Sequence, residues 1–372
     1  MLGDGAAAHD RLGECHLADI PRDRGCRATV LRVTAQPART RAVLTDISSR
    51  AWEHPADRGA LVALRKLKGF DSVLKAVNGL FNERAARLVY LGSAIRVDER
   101  QFARLHHLLA DAARTLDAPT LPEMYVVSNP VPGAVTIGMN EPFIVLNSGL
   151  VDLFDEDELR FAIAHELGHA ISGHAVYQTL LQRLLQLSGV LSSVPVGSLG
   201  FRAIVAALYE WSRKAELSAD RAGLLATQDP ATAFRCHMKL ASGGHLDDLD
   251  VTSFLSQGSE YDASDLRDSV LKLLLVENRT HPFAVVRATE LRRWVDSGEY
   301  TRNVAGDYPR REDDADASMS DAAAVAARSY ADAFRQSQDA VGRMVHDLAG
   351  WAGGAKVWLD DRLRRNGETA AG

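Results

Sequence analysis

The chain has 372 residues, of which 46% are hydrophobic and 25% charged, fractions typical of an ordinary globular protein with a substantial core. Its 43 basic and 49 acidic residues give a formal net charge of −6, which argues against nucleic acid as a main partner. The three cysteines (Cys15, Cys26 and Cys236) form no CxxC pair and the N-terminus carries no apolar signal run, so the sequence favours a soluble, cytoplasmic protein.

The first part of the chain predicts a leader followed by helices. Residues 1–47 have no sustained hydrophobic periodicity, which indicates a poorly ordered leader. Pro55 suits a first helical position and opens a short amphipathic helix. Further helices are predicted at residues 71–81, 83–95 and 98–116, the last of them capped by Asp98. We expect residues 48–120 to be the helical N-terminal part of one domain that ends at residue 304.

Three short apolar segments then predict strands, at residues 124–128, 134–139 and 142–147, separated by turn residues. They predict a small three-stranded antiparallel sheet, and so an α+β fold that is mainly α-helical. The free edge of such a sheet could bind an extended peptide through main-chain hydrogen bonds. That the sheet only covers the helices is an equally good interpretation of these residues.

A helix with two histidines follows the strands and carries the clearest chemical signal. Asp155 and Glu158 form a capping box at its start, and HELGH runs from His165 to His169. Histidines four residues apart share one helical face, so both imidazoles can reach one ion. Glu166 lies about 100° round the helix, close enough to act on a water bound there without being a ligand. Zinc hydrolases require this arrangement.

His174 is a further histidine near this pair. It follows His169 by five residues, about 140° round a continuous helix, so we predict a structural role and no contact with the ion. The weakly charged segment at residues 180–211 comes next. Glycines, serines and Pro195 interrupt it, which favours a helical hairpin packed on the core; a shallow, weakly membrane-associated element is the alternative.

A second helix offers acidic residues at helical spacing. Glu216 and Asp220 lie four positions apart among apolar neighbours in SRKAELSADRAG. A glutamate from a second helix can complete a zinc site of two histidines and leave the fourth position to water. An aspartate one turn later can accept a hydrogen bond from a ligand histidine and fix its ring. His237, further on, we assign to packing.

HELGHAISGH, followed by SRKAELSADRAG and THPFAVVRATEL, resembles the gluzincin metallopeptidases of the HtpX-like and CAAX prenyl endopeptidase family, its soluble branch more than its membrane-bound one. The resemblance implies a zincin-like catalytic core at residues 121–304 that binds one Zn²⁺ per chain. It implies that the ion is bound by His165, His169 and Glu216. It further implies that Glu166 is the general base and that His281 stabilises the oxyanion. The peptide would dock on a strand formed by Ala134, Val135, Thr136, Ile137 and Gly138.

The C-terminal region separates into two segments. Residues 305–319 are acidic and poor in apolar residues, which predicts a disordered linker. Residues 320–372 predict an amphipathic helical tail with an apolar stripe that consists of Tyr330, Phe334, Val341, Met344 and Leu348. The tail could dock on its own core or self-associate; docking on a partner or on a membrane surface, at the cytoplasmic face, is the other interpretation.

Two classes of function follow. The first is a zinc-dependent endopeptidase that acts on polypeptides, with protein quality control as the expected setting. The second is a catalytically weak, zinc-stabilised binding or adaptor protein. It draws support from Gly133, because members of the family often carry asparagine there. A zinc aminopeptidase is more remote, because no acidic amine-anchoring motif precedes His165.

Overall fold

The computed structural model describes residues 40–66, 70, 74–75, 83–191, 198–263 and 280–335. Its helices are α1 (Pro55–Arg65), α2 (Glu83–Ser93), α3 (Ala103–Thr115), α4 (Ser148–Leu153), α5 (Glu156–Ile171), α6 (His174–Leu191), α7 (Ser198–Thr227), α8 (Pro230–Ser242), α9 (Val251–Ala263), α10 (Ala284–Asp296), α11 (Glu299–Val304) and α12 (Asp321–Arg335). Short 3₁₀ helices lie at Ser49–Ala51, Leu246–Asp248 and Arg311–Asp313. Of the helix predicted at residues 71–81, only Leu74 and Lys75 are described, and both are helical.

The strands are β1 (Ile95–Arg96), β2 (Met124–Val127), β3 (Ala134–Ile137) and β4 (Phe143–Asn147), in the spatial order β1–β2–β4–β3. β2 and β4 are parallel, whereas β1 pairs with β2 and β3 pairs with β4 in antiparallel fashion. The mainly helical α+β class is confirmed, but the three-stranded antiparallel sheet is wrong. The run at 143–146 is buried at every position, as is typical of a central parallel strand rather than an alternating one.

The start of α3 is a second correction. Asp98 does not cap the helix, because its carboxylate accepts hydrogen bonds from the amides of Arg100 and Gln101, both at 2.8 Å, within a preceding turn. Phe102 then adopts a left-handed conformation with φ of 52°, and α3 begins at Ala103. Local hydrogen bonding by an aspartate competes here with helix extension.

Helix α5 lies at the centre of the core. Its capping box is confirmed, with Asp155 and Glu158 each bonded to the backbone amide of the other. Gly168 lets α7 come close, because a Cβ atom there would lie 2.6 Å from the Cβ of Ala222. The chain leaves α5 through Gly173, whose φ of 71° belongs to the left-handed region that glycine tolerates. The close contact of α5 with α7 brings their functional side chains together.

Segments from the two ends of the described chain contact each other. Leu44 and Ile47 are buried, so residues 44–47 belong to the core and not to a poorly ordered leader. Ile47 forms a β-bridge with Arg310, and Arg311 pairs with Asp46 and Asp117. The expectation that residues 305–319 are disordered is therefore wrong where these contacts form. Arg310 and Arg311, the two arginines of this acidic segment, therefore connect it to the N-terminal segment.

Helix α12 packs on α1. A Cβ on Gly59 would lie 2.5 Å from the Cβ of Ala326, so the two helices meet at small residues. Tyr330 contributes from the predicted stripe, with its hydroxyl 3.3 Å from Glu210; the side chains of its other members lie outside the described residues. Helices α6 and α7 pack together as a hairpin. In the part of the chain that is described, no helix combines the length and apolarity needed to cross a membrane.

Candidate active site

Three side chains from α5 and α7 converge on one point. The Nε2 atoms of His165 and His169 are 3.2 Å apart. Glu216 places Oε2 3.3 Å from His165 Nε2 and Oε1 3.3 Å from His169 Nε2. All three residues are buried, and among the described residues they form the group of possible metal ligands. The structure thus brings together the three predicted ligands.

The spacing of these atoms fits a zinc ion. Ligand atoms bound about 2.0–2.1 Å from a tetrahedral ion lie roughly 3.3–3.4 Å from one another. The two Nε2 atoms are 3.2 Å apart and each lies 3.3 Å from one of the two Glu216 oxygens, which is close to that spacing. Glu216 Oε2 is buried, with Arg287 Nη1 at 3.4 Å and His281 Nε2 at 3.5 Å. Two imidazole nitrogens and a carboxylate form a ligand set that suits zinc.

Protonation within the group follows from its surroundings. Burial lowers the pKa of His165, but hydrogen bonds with Asp220 and Glu216 outweigh it and raise the pKa to about 9. Burial lowers the pKa of His169 to about 4, which leaves that imidazole neutral. Burial raises the pKa of Glu216, yet His281, His165 and His169 hold it well below its ordinary value. Metal binding at this point would displace the proton of His165.

The outer nitrogen of His165 has a charged support. Its Nδ1 lies 3.1 Å from Oδ1 of Asp220, the predicted orienting residue. Arg287 on α10 donates two hydrogen bonds to that carboxylate, at 2.8 and 2.6 Å. Burial raises the pKa of Asp220, but Arg287 more than compensates and lowers it. Arg287 lies in the motif THPFAVVRATEL. Its contact with Asp220, on another helix, cannot be predicted from the spacing of residues in the sequence.

The outer nitrogen of His169 has a different neighbour. His174 Nδ1 lies 3.0 Å from His169 Nδ1, and His174 Nε2 lies 3.1 Å from Oδ2 of Asp57 on α1. The angle of 140° assumed for His174 is wrong, because α5 ends at Ile171 and His174 begins α6. His174 lies outside the group of three but contacts one of its members. Asp57 is not among the residues that the sequence predicted for the site.

Glu166 and Thr136 form a pair beside the three ligands. The Thr136 hydroxyl lies 2.7 Å from Glu166 Oε2 and 2.9 Å from the Glu166 carbonyl oxygen. Burial raises the pKa of Glu166 to about 7, against the opposing effects of His165 and Thr136. A carboxylate with that pKa can accept and return a proton near neutral pH.

A cavity of about 1000 Å³ adjoins the ligands and includes His165, Glu166 and Glu216 in its wall. Gly133 and Ala134, from the start of β3, line it as well. His281 also faces it: the side chain is 54% exposed, with Nε2 3.5 Å from Glu216 Oε2 and Nδ1 2.7 Å from the Thr280 hydroxyl. Ala134, His165, Glu166, Glu216 and His281, five of the predicted site residues, thus line a space open to a large ligand.

Two other predicted residues have clear positions. β3 is an edge strand of the described sheet, with Thr136 buried toward α5. Gly138, just after β3, donates its amide to the Thr179 hydroxyl at 3.0 Å. His237 is fully buried against Phe161 and lies 3.6 Å from Asp220, too far for a hydrogen bond. It lies outside the ligand group, although it lines the cavity, and its assignment to packing stays a prediction.

Known proteins resemble the chain across this region. The sequence model of peptidase family M48 matches residues 99–295, more than half of the chain. The plastoglobule-localized metallopeptidase 48, chloroplastic, of Arabidopsis thaliana is 34% identical over 261 residues, 68% of this chain and 75% of that protein.

More distant relatives are bacterial. Protease HtpX homologues of Tropheryma whipplei (strain Twist) and Sulfurihydrogenibium sp. (strain YO3AOP1) are 25% and 33% identical over 190 and 91 residues. These matches cover 44% and 24% of this chain and 64% and 30% of the relatives, so the chain spans less than two thirds of these HtpX proteins. No solved structure matches the chain significantly. The chain belongs to peptidase family M48 and is an HtpX-like gluzincin metalloprotease.

Proposed function

We propose that this protein is a zinc-dependent endopeptidase in which His165, His169 and Glu216 bind the ion and Glu166 is the general base. The observation that carries the proposal is the convergence of these three buried side chains beside a cavity whose wall includes His165, Glu216 and Glu166. Structural zinc sites are closed by four protein ligands, whereas catalytic sites keep one position open. The described group has three members, which supports the catalytic role over the adaptor role.

The chain's own residues divide the chemistry among them. Bound zinc would supply Lewis acidity, which activates water and polarises a carbonyl group. Glu166 takes the proton of the attacking water and passes it to the leaving amine, a task suited to its pKa of about 7. Thr136 orients the Glu166 carboxylate through their hydrogen bond of 2.7 Å. General-base action of this kind contributes about 10²–10⁴-fold to rate.

His281 is the proposed donor to the oxygen that gains negative charge. Its exposed ring faces the cavity beside Glu216, and Thr280 contacts the other ring nitrogen. One well-placed donor to such an oxygen contributes about 3–4 kcal/mol to transition-state stabilisation.

We propose that the substrate pairs with a short part of β3. Asn147 donates to the carbonyl of Gly133, and pairing alternates along the strand, so the main-chain groups of Ala134 and Thr136 point away from β4. The amide of Gly138 faces the same way but already donates to Thr179. A peptide would therefore pair with two residues of the predicted five, at the end of β3 that lines the cavity. An extended polypeptide fits this edge.

The setting of the activity is also a proposal. Composition supports a cytoplasmic location, and the resemblance to HtpX proteases supports a role in protein quality control. Weak membrane association through residues 180–211 and self-association through the C-terminal helix stay predictions. Fractionation of the tagged full-length chain would test the location, with recovery in the soluble cytoplasmic fraction expected.

The proposal is tested by zinc analysis together with hydrolysis of an unfolded protein. Wild type should contain one zinc per chain and cleave internal peptide bonds. Glu166→Gln should keep the zinc and lose about 10²–10⁴-fold in activity. His106→Gln, a change on α3 outside the ligand group, is the control for folding and should be fully active. One zinc per chain without cleavage by wild type would support the adaptor function, and full activity of Glu166→Gln would exclude the mechanism.

A further inference from the structure

We propose that His174 and Asp57 are positioning residues for the ligand His169, which makes helix α1 part of the metal centre. The inference rests on the proposed zinc site. It concerns the ring of His169, which can bind an ion through only one nitrogen in this geometry. His169 Nε2 faces His165 and Glu216, so Nδ1 is the atom that a supporting contact must reach.

The contacts admit one arrangement of protons. A nitrogen that binds a metal needs its lone pair, so a ligand His169 carries its proton on Nδ1. That Nδ1–H can donate to His174 Nδ1 at 3.0 Å if His174 carries its own proton on Nε2. His174 Nε2–H then donates to Asp57 Oδ2 at 3.1 Å. One tautomer of each ring satisfies both contacts and leaves Nε2 of His169 free to bind an ion.

Asp57 is itself firmly held. Trp211 donates its indole N–H to Asp57 Oδ1 at 2.9 Å, and Ser218 donates its hydroxyl to Oδ2 at 2.6 Å. The aspartate is 1% exposed, so these donors replace solvent. The ring of His174 packs edge-on against Trp211, with centroids 5.6 Å apart. Both donors to Asp57 lie on α7, the helix that also carries Glu216. The contacts from His169 through His174 to Asp57, which we call the relay, therefore depend on the same helix as the third ligand.

A carboxylate that accepts from a ligand histidine, directly or through another group, fixes the ring and increases its basicity. Here a neutral imidazole transmits the effect between α5 and α1. Asp57 precedes residue 99, where the family match begins. The metal centre of this chain therefore draws on a helix outside the matched segment.

Gln178 is a competing partner. Its Nε2 lies 3.3 Å from His169 Nδ1, and its Oε1 is buried without a hydrogen bond. Rotation of the amide would turn Gln178 into an acceptor for the same proton. The relay to Asp57 predicts that His174 is the partner on which zinc affinity depends, and a Gln178 variant distinguishes the two.

The test is the dissociation constant for zinc, measured on the full chain by competition with a chelator, with the unfolding of the metal-free protein recorded in parallel. His174→Phe and Asp57→Asn should weaken zinc binding about 10–100-fold. His174→Asn should lose less, because its side-chain oxygen can take the place of Nδ1 as acceptor. Gln178→Met, and Leu181→Ala as a core truncation on the same helix as His174, should change the constant less than about threefold.

The outcomes separate the inference from its premise. If wild type binds no zinc, the proposed function fails and the relay with it. If wild type binds zinc but His174→Phe, folded by its unfolding curve, binds it equally well, His174 is merely structural and the inference fails alone. A loss in Gln178→Met or Leu181→Ala as large as that in His174→Phe would overturn it too. Should His174→Phe not fold, Asp57→Asn and His174→Asn are judged by the same criteria.

Discussion

His165 and His169 lie one turn apart on α5, yet partners of opposite character contact their outer nitrogens. On the His165 side, Asp220 pairs with the buried guanidinium of Arg287, so support comes from an ion pair between α7 and α10. On the His169 side, the neighbour is the imidazole of His174, followed by Asp57 on α1. The first pair lies within the stretch that matches the family, and the second extends beyond it.

This difference predicts how substitutions on the two sides should affect stability and zinc binding. Removal of one member of a buried ion pair leaves an uncompensated charge, which costs far more than the pair contributed. Removal of His174 leaves the buried Asp57 carboxylate with two of its three neighbouring donors, Trp211 and Ser218. We therefore expect the His165 side to govern stability and zinc affinity together, and the His169 side to govern mainly zinc affinity.

Among the variants that test this comparison, Asp220→Ala should cause the largest loss in the free energy of unfolding. It removes both hydrogen bonds from Arg287 to Asp220 and leaves the longer ion pair with Glu216 Oε2 at 3.4 Å, at a cost of about 3–5 kcal/mol in the free energy of unfolding. Urea denaturation of the metal-free protein measures the loss, and His174→Phe should lose clearly less. Asp220→Asn, which keeps one acceptor oxygen for the guanidinium, is the matched control and should fall between them. Equal losses in Asp220→Ala and His174→Phe would erase the distinction between the two sides.

Gly59→Ala tests the packing of α12 on α1, the helix that carries Asp57 on the His169 side. The new Cβ would lie 2.5 Å from the Cβ of Ala326 and 2.8 Å from the amide nitrogen of Ala327, so α12 must move away from α1. We expect the free energy of unfolding to fall by about 1–3 kcal/mol, as for other overpacked contacts. Gly92→Ala on α2 is the matched control, because a Cβ there meets no atom within 4 Å.

The control should respond in the opposite direction. Alanine in an open helical position is favoured over glycine by about 0.5–1 kcal/mol, so Gly92→Ala should stabilise the protein. Thermal unfolding of both variants provides the comparison. A stable Gly59→Ala protein would show that α12 is not closely packed on α1.

Thr136→Val should have the smallest effect and leaves both histidine supports intact. The hydroxyl that contacts Glu166 is lost without a change of shape, which should reduce kcat/KM by about 2–10-fold, the equivalent of one hydrogen bond. Thr136 lowers the pKa of Glu166, so its removal should raise that pKa from about 7. The base acts when deprotonated, and the acidic limb of the pH–rate profile should therefore move to higher pH.

Thr115→Val is the matched control for this change. Thr115 is also a buried threonine, and its hydroxyl bonds to the main chain of Asp111, on α3. Its replacement should leave the pH–rate profile unchanged. An acidic limb that moves to lower pH in Thr136→Val would contradict the assignment of Glu166 as the base.

The parts of the site that sequence reasoning found depend on local spacing. His165 and His169 share a helical face, and the Glu216–Asp220 pair is one turn long, so periodicity alone places each pair. Arg287 contacts Asp220 across 67 positions in the sequence and Asp57 contacts Trp211 across 154, and no periodicity relates either residue to α5. His174 lies outside the ligand group as predicted, but the angle given for it was wrong because α5 ends at Ile171 and His174 begins the next helix.

The fold shows the same division. The capping box at Asp155 is a local pattern and was predicted. β2 and β4 pair in parallel because β3, which lies between them in sequence, occupies the edge of the sheet. The residues of β3 do not indicate that position. Leu44 and Ile47 sit in a segment without periodicity, and only their burial against distant parts of the chain identifies them as core.

The central claim is that His165, His169 and Glu216 bind one zinc ion, and zinc-edge X-ray absorption tests it most directly. The wild-type protein, loaded with one equivalent of zinc, should show two histidine rings among nitrogen and oxygen ligands at about 2.0–2.2 Å and no sulfur. Glu216→Ala should lose tight binding or change the oxygen contribution while both histidines remain. A sulfur ligand at about 2.3 Å, or a spectrum that Glu216→Ala leaves unaltered, would contradict the assignment.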